Sequence, residues 1–206
     1  AQTGKKRTVS NRTEIRKRLN FCLERAGNYG QFVAMAQELD ITPTIRGKHM
    51  SYRLAGTGRA VRDDSLSDTD TFTYAGICAR LADNAAEQTC LRRGIQKALG
   101  TAADMESFAK NLKAAGIETM LKKPNGLLLY RAADMDGTWV PADALGAAFT
   151  AEGIDQTLKN GTPPAPAAEK PLPERYLEWT VNYPEICETA VKLTGRQILS
   201  AGKNGL

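Results

Sequence analysis

The sequence predicts an α+β protein made of two tandem copies of one small module. Three observations lead to this prediction: an internal repeat, helix-type spacing of apolar residues at the start of each copy, and short β-prone pieces between glycine turns in its middle. We expect each module to hold a helix pair, a three-stranded antiparallel meander and a closing helix, and we expect a helical tail after the second module.

The internal repeat relates residues 15–46 to residues 91–122 at a constant offset of 76. After a two-residue insertion in the second copy, the matches continue in the same order. Chance supplies one such pair easily but not an ordered series, so we infer a duplicated module. The later matches are Tyr52 with Tyr130, Arg53 with Arg131, Phe72 with Phe149 and Thr73 with Thr150.

The start of the first copy has the pattern of an amphipathic helix. Ile15, Leu19 and Leu23 recur every four residues and therefore share one helix face, with Asn11 or Thr13 placed as the N-cap. A second apolar stripe follows in each copy, and we assign both stripes to the core.

The pattern then changes to short alternating runs separated by glycines, which predicts three strands joined by tight turns. In the second copy the turns fall at residues 123–126 and 134–137. A closing helix is expected to begin after Phe72, with Thr73 as its N-cap. The three runs of the first copy are residues 41–46, 50–54 and 60–62.

The chain divides into five segments on these grounds. The last segment contains Tyr176, Trp179 and Tyr183, which would either pack back onto the modules or bind a partner. The segments are a basic N-terminal arm (residues 1–12), module 1 (13–84), module 2 (88–160), a proline-rich linker (161–174) and a helical tail (175–206).

Positive charge is concentrated in the first third of the chain. Residues 1–62 hold thirteen Lys/Arg against four Asp/Glu, a net charge of +9, whereas residues 63–206 hold fifteen against nineteen, a net charge of −4. Only the first third therefore has the charge of a surface that binds a polyanion. The alternative interpretation is that these basic residues form a solvated face without a ligand.

Composition excludes several classes of protein. With 42% hydrophobic and 25% charged residues the chain is not disordered throughout, and no apolar run approaches the ~20 residues of a membrane span. We expect a cytoplasmic fragment, because the chain begins at Ala1 without a secretory signal. One histidine and no C-x-x-C pair favour buried thiols over a disulfide or zinc site, with no cofactor or metal. The cysteines are Cys22, Cys78, Cys90 and Cys187.

The candidate binding site lies in the sequence RGKHMSYR of residues 46–53 and in the run that follows it. Strand alternation places His49, Ser51 and Arg53 on one face and the core residues Met50 and Tyr52 on the other. A phosphodiester backbone is the natural complement of several cations on one sheet surface. The candidate nucleic-acid-binding residues are Arg46, Lys48, His49, Arg53, Arg59 and Arg62.

The second copy keeps the scaffold and loses this surface. Leucines occupy residues 127–129, and Thr138 and Pro141 replace two of the arginines. We therefore expect module 1 to contact the ligand and module 2 to be structural or to contact a protein.

Evidence for catalysis is sparse, since the sequence has no Ser/His/Asp set, no phosphate-binding loop and one histidine. We expect no enzymatic activity, although His49 alone could act as a general base. Asp63, Asp64, Asp68 and Asp70 form an acidic loop, which we interpret as solvated rather than as a Mg²⁺ site.

The motifs of residues 14–81 resemble the region that follows the nuclease domain in plasmid and integrative-element relaxases. The similar segments are NYGQF (28–32), RGKHMSYR (46–53), RAVR (59–62), Ser65-Leu66 and the helix after Phe72. The resemblance implies a part in conjugative DNA mobilisation, with transfer-origin DNA and the coupling protein of a type IV secretion system as partners. Relaxase nuclease domains use a tyrosine and three histidines, so a chain with one histidine would be the non-nicking accessory part.

Two alternatives to DNA binding remain open. One is a protein-interaction module that the coupling protein recognises without DNA. The other comes from a weaker resemblance to the HicA family of mRNA-cleaving toxins, whose Gly-x-His strand matches residues 47–49 and implies that His49 cleaves RNA. The order of elements in each module is also similar to that of double-stranded-RNA-binding domains.

Overall fold

The computed structural model describes residues 10–122, 127–133, 139–161 and 170–180 of the 206-residue chain. Its contacts divide the chain into two units, residues 1–169 and residues 170–206. The first unit contains both predicted modules and confirms the α+β class, with two three-stranded antiparallel sheets of order β1-β2-β3 and β4-β5-β6.

The elements of the first unit follow the same order twice. Module 1 consists of α1 (Asn11–Arg25), α2 (Tyr29–Glu38), β1 (Ile41–Arg46), β2 (His49–Leu54), β3 (Val61–Arg62), α3 (Asp63–Leu66), a 3-10 helix (Asp70–Phe72) and the start of α4 (Tyr74–Gly100). Module 2 continues with α5 (Met105–Ala114), β4 (Ile117–Lys122), β5 (Leu127–Ala132), β6 (Val140–Pro141), α6 (Ala142–Leu145), a 3-10 helix (Ala147–Phe149) and α7 (Ala151–Asn160).

The predicted boundary between the modules falls inside one helix. We predicted an end of module 1 at residue 84 and a start of module 2 at residue 88, but α4 runs through both positions for 27 residues. The stretch between them is rich in alanine and contains no proline or glycine, so nothing in the chain ends the helix there. The closing helix of module 1 is therefore also the first helix of module 2.

The repeat is visible in the hydrogen bonds as well as in the order of elements. The Tyr52 hydroxyl donates to the Phe72 carbonyl at 2.5 Å, and the Tyr130 hydroxyl donates to the Phe149 carbonyl at 2.8 Å. Each bond ties the central strand of a sheet to the 3-10 helix that precedes the last helix of the module. Both tyrosines are buried, and burial raises the pKa of their hydroxyl groups.

Backbone conformation is repeated too. Asp40 has φ of 60° and Gly116, at the equivalent position, has φ of 68°. The carbonyl of each accepts a hydrogen bond from the residue after the central strand, Ala55 at 2.8 Å and Ala133 at 2.7 Å. The turn into the first strand of each sheet therefore needs a left-handed residue, which glycine adopts without strain.

Each module has a core between its helices and one face of its sheet. In module 1 the buried residues include Ile15, Leu19 and Phe32 from the helices and Met50 and Tyr52 from β2, as the periodicity predicted. In module 2 the equivalent cluster is Leu91, Ile95, Phe108, Ile117 and Tyr130 with its neighbours. At ~25 cal/mol per Å² of apolar surface, such clusters dominate the stability of small domains.

The two modules are also joined by a buried ion pair. Arg25 at the end of α1 donates from Nε to Asp143 Oδ2 of α6 at 3.1 Å, and its side chain is 3% exposed. Its guanidinium lies 3.8 Å from the centroid of the Phe21 ring. Gln88 of α4 donates to the Arg25 carbonyl at 3.2 Å, so α4 also satisfies the C-terminal end of α1.

Two local expectations differ from the structure. The N-cap of α1 is Ser10, whose hydroxyl accepts from the Thr13 amide at 3.2 Å, and not Asn11 or Thr13. Buried thiols were expected, but Cys78 is half-buried and Cys90 is exposed, because only Cys22 lies on a core-facing stripe. Cys187 lies outside the described residues.

The second unit has a helix over residues 172–180, which begins inside the segment predicted as linker. Tyr176 and Trp179 stack with ring centroids 6.1 Å apart, and Lys170 pairs with Glu178 at 2.6 Å. The rest of the predicted tail, including Tyr183, and most of the linker lie outside the described residues, as do the turns 123–126 and 134–137. None of the described helices combines the length and apolar composition of a bilayer span.

The start of α4 supplies a test of the fold. Thr73 is its N-cap as predicted, and a Cβ added at Gly76 would lie 1.9 Å from the Asp70 carbonyl oxygen. We expect Gly76→Ala to lower the free energy of unfolding by about 1–3 kcal/mol, because backbone must move to admit the methyl group. Urea denaturation followed by circular dichroism measures this change.

The matched control is Gly100→Ala at the other end of the same helix, where an added Cβ meets no atom within 4 Å. We expect no loss of stability there. Equal stability of Gly76→Ala and the wild type would show that the 3-10 helix does not pack on α4 as described.

Candidate nucleic-acid interface

Four of the six predicted site residues lie on one face of the first sheet. β1 and β2 pair so that Arg46 is opposite His49 and Thr42 is opposite Arg53, while Ser51 is opposite Arg62 of β3. Residues directly opposite each other in an antiparallel sheet point to the same side. The face turned away from the core therefore carries Arg46, His49, Arg53 and Arg62, and we call it the cationic face.

The other two predicted residues lie at the ends of strands. Lys48 is in the two-residue turn between β1 and β2, after Gly47 with φ of 62°. A glycine with positive φ at the first turn position is typical of a tight hairpin. Arg59 lies in the connection that precedes β3 and is not part of a strand, so the structure does not place it on the cationic face.

The cations of this set are exposed, and most lack an ion-pair partner. Arg62 Nε lies 3.9 Å from Asp64 Oδ2, and both side chains are more than half exposed, so the pair is weak. The remaining four cations have no ion-pair partner within the ranges that the structure describes. Three of them, Arg46, Lys48 and Arg53, lie on the cationic face or in its hairpin turn. Exposed cations without carboxylate partners are suited to binding an anion.

His49 has a different environment from the arginines. Its Nδ1 lies 3.1 Å from Oδ1 of Asp63, and its side chain is 31% exposed, whereas Asp63 is 2% exposed. The carboxylate can only accept, so Nδ1–H donates and Nε2 is the ring nitrogen left for a partner. A buried carboxylate thus fixes the orientation of the one histidine.

Asp63 is held by further hydrogen bonds. Its Oδ2 accepts from the Met50 amide at 2.8 Å and its Oδ1 accepts from the Asp64 amide at 2.8 Å. Burial favours the neutral carboxyl, but these amides and His49 outweigh burial and hold the pKa of Asp63 below its usual value. Asp63 is therefore an ionised group that ties α3 to β2.

The acidic-loop interpretation is wrong for Asp63, because this carboxylate is buried and fully engaged. Ligand atoms of His49, Asp63 and Asp64 lie within 4.8 Å of one another. Both oxygens of Asp63 already accept hydrogen bonds, so the geometry is explained by the fold.

Sequence reasoning found His49 and missed its partner. In the repeat, the counterpart of His49 is Leu127 and the counterpart of Asp63 is Ala142, so neither side chain of this contact is present in module 2. His49 and Asp63 are fourteen residues apart, and no local pattern links them.

Module 2 neutralises the counterpart of Arg53. Arg131 is opposite Glu118 in the sheet, and its Nε donates to Glu118 Oε2 at 3.0 Å. Its guanidinium also lies 4.6 Å from the centroid of the Trp139 ring. In module 1 the residue opposite Arg53 is Thr42, which leaves that charge without a carboxylate.

The rest of the second sheet supports the same contrast. Leu127 and Leu129 of β5 and Pro141 of β6 occupy positions that hold His49, Ser51 and Arg62 in module 1. Thr138, the counterpart of Arg59, lies outside the described residues. The equivalent face of module 2 is therefore apolar at these three positions. It keeps a cation at two others, Lys122 at the position of Arg46 and Arg131 at that of Arg53.

The Asp63 contacts predict a pH dependence of stability. A depressed pKa in the folded state means that the stabilisation is fully present above about pH 4 and is lost as pH falls through the folded-state pKa. We expect Asp63→Asn to cost about 1–3 kcal/mol at pH 7, with a difference from the wild type that shrinks at acid pH. Urea titrations between neutral and acid pH measure both.

Asp64→Asn is the control, since its side chain is 54% exposed. We expect its free energy of unfolding to stay near that of the wild type at every pH. A constant difference between Asp63→Asn and the wild type across the pH range would contradict the depressed pKa.

Comparison with known proteins gives no match to this chain among protein-family models, curated proteins or solved structures. The relaxase and HicA resemblances therefore rest on the motifs of module 1 alone.

Proposed function

We propose that module 1 binds nucleic acid through its cationic face and that the chain acts without catalysis, as an accessory DNA-binding region of a conjugative relaxase. The observation that carries the binding proposal is a set of three exposed cations on the cationic face and its hairpin turn, Arg46, Lys48 and Arg53, which have no ion-pair partner among the described residues. The link to relaxases and to transfer-origin DNA rests on the sequence resemblance.

The contrast between the modules supports this proposal. The fold does not need the charges of His49 and Arg62, because module 2 forms the same sheet with Leu127 and Pro141 at their positions. Where module 2 keeps the arginine, it adds Glu118 to pair with it. Cations that the scaffold does not need are available for a ligand, and phosphates match their charge.

Charge removal tests the proposal. We expect the triple variant Arg46→Ala, Lys48→Ala and Arg53→Ala to bind a DNA oligonucleotide about tenfold or more weakly at low salt, because three phosphate contacts are lost. The slope of log affinity against log salt should flatten by about 2–3. Fluorescence anisotropy across a salt series measures both quantities.

A matched variant removes three exposed cations from the helices of module 2: Arg93→Ala, Lys97→Ala and Lys113→Ala. It changes net charge equally and should keep most of the affinity. The binding proposal is wrong if the triple variant at Arg46, Lys48 and Arg53 has the same DNA affinity and the same salt slope as the wild type.

A second candidate function, RNA cleavage, is favoured by one observation, the contact between His49 and the buried Asp63. A carboxylate on Nδ1 orients the ring and leaves Nε2 to act as the general base. His49 Nε2 would then take the proton of a ribose 2′-hydroxyl as its oxygen attacks the adjacent phosphorus, with Lys48 and Arg46 near the developing charge. The bond from phosphorus to the 5′-oxygen of the next nucleotide breaks and that oxygen takes a proton from water, which leaves a 2′,3′-cyclic phosphate.

The cleavage candidate predicts RNA hydrolysis in the presence of a metal chelator. His49→Ala should lower the rate by about 100-fold or more. Asp63→Asn should lower it less, because the base remains but loses its orienting partner. Intact RNA after prolonged incubation with the wild-type protein would remove this candidate and leave the binding proposal untouched.

A further inference from the structure

We propose that the ligand of the cationic face is duplex DNA, entered through its major groove, an inference that rests on the proposed nucleic-acid binding of module 1. The sequence left the strand state open. The composition and shape of the cationic face favour duplex DNA over a single strand or RNA.

The exposed hydroxyl side chains of the face are Thr42 and Thr44 of β1, which stand opposite Arg53 and Ser51. Ser51 is only 8% exposed, so the two threonines are the hydroxyl groups that a ligand reaches. Serine and threonine hydroxyls donate to or accept from base edges, and a threonine methyl group packs against the methyl group of thymine. Arginine is the commonest partner of guanine in the major groove.

The cations lie at the two ends of the face. Arg46 and the turn residue Lys48 lie at the hairpin end, and Arg53 lies at the other end. Arg53 is four positions after His49 in β2, which places the two ends about 13 Å apart. Short polar groups between cationic borders match base edges between two rows of phosphates.

The shape of the sheet fits the same groove. β1 and β2 pair over six residues each, whereas β3 contributes two. Most of the face is therefore a two-stranded ribbon, and the major groove of B-DNA, about 12 Å wide, admits such a ribbon. The deep, narrow major groove of A-form RNA does not admit side chains in this way.

Single-stranded ligands are disfavoured by the lack of stacking platforms. Proteins that bind single strands place several aromatic rings along a cationic groove. In the described residues of the cationic face the one ring is His49, which Asp63 holds by Nδ1. Tyr52 of the same strand points into the core and is fully buried.

Binding to three probes tests the inference: a mixed-sequence DNA duplex of about two helical turns, roughly 20 base pairs, its isolated single strand, and the RNA duplex of the same sequence. At matched salt we expect the DNA duplex to bind at least about tenfold more tightly than either of the others. Methyl green, which occupies the major groove, should displace the protein, and netropsin, which occupies the minor groove, should not.

The outcomes separate this inference from the proposed function. Binding to none of the probes overturns both. Binding to the single strand or to RNA as tightly as to the DNA duplex, with sensitivity to the triple cation variant, keeps the proposed function and overturns the inference. Displacement by netropsin alone also overturns it.

A substitution on the face gives an independent test. Thr44→Tyr keeps a β-favouring residue at an exposed strand position and retains every cation. The ring should lower duplex affinity by obstructing the groove and raise single-strand affinity by offering a stacking surface. Thr119→Tyr, at an exposed strand position of module 2, should change neither affinity. Unchanged probe preference in Thr44→Tyr would count against groove entry.

Discussion

The rest of the structure depends on the continuity of α4, the helix that closes module 1 and opens module 2. Because one helix contributes Ile77 and Leu81 to the first core and Leu91 and Ile95 to the second, the modules cannot adopt an arbitrary relative orientation. The buried contact between Arg25 and Asp143 fits this constraint, since a buried charge is tolerated only where a partner is held in place. Both modules therefore belong to one compact unit.

The two modules share the same internal features but differ in the outer faces of their sheets. The buried hydroxyl of the central tyrosine, the threonine N-cap and the left-handed turn residue are present in both modules, because the fold requires them. The outer faces have no such requirement. Module 1 holds His49 against Asp63 and leaves Arg53 unpaired, whereas module 2 has Leu127 and Ala142 and pairs its arginine with Glu118. Charge that the fold does not need is the physical basis of the functional proposal.

Much of the fold follows from local pattern. The spacing of Ile15 and Leu19 placed them in the core, the runs of module 1 matched β1 to β3 within one residue at each end, and Thr73 is the N-cap of α4. Alternation also placed Met50 and Tyr52 inside and Arg53 outside. These features depend on residues within a few positions of each other. The alanine-rich centre of α4 contains no residue that would end a helix. The boundary between the modules was predicted there because the chain was divided by its internal repeat and not by its helices.

The sequence by itself determined the fold class, the duplication and the identity of the cations, since periodicity and self-similarity are properties of the chain alone. Only the tertiary structure decided that Asp63 is buried against His49, that Arg59 lies off the cationic face and that Arg62 is opposite Ser51. Those facts depend on strand register and on packing between positions that are distant in the sequence, such as His49 and Asp63, which are fourteen residues apart. A local pattern does not encode such contacts.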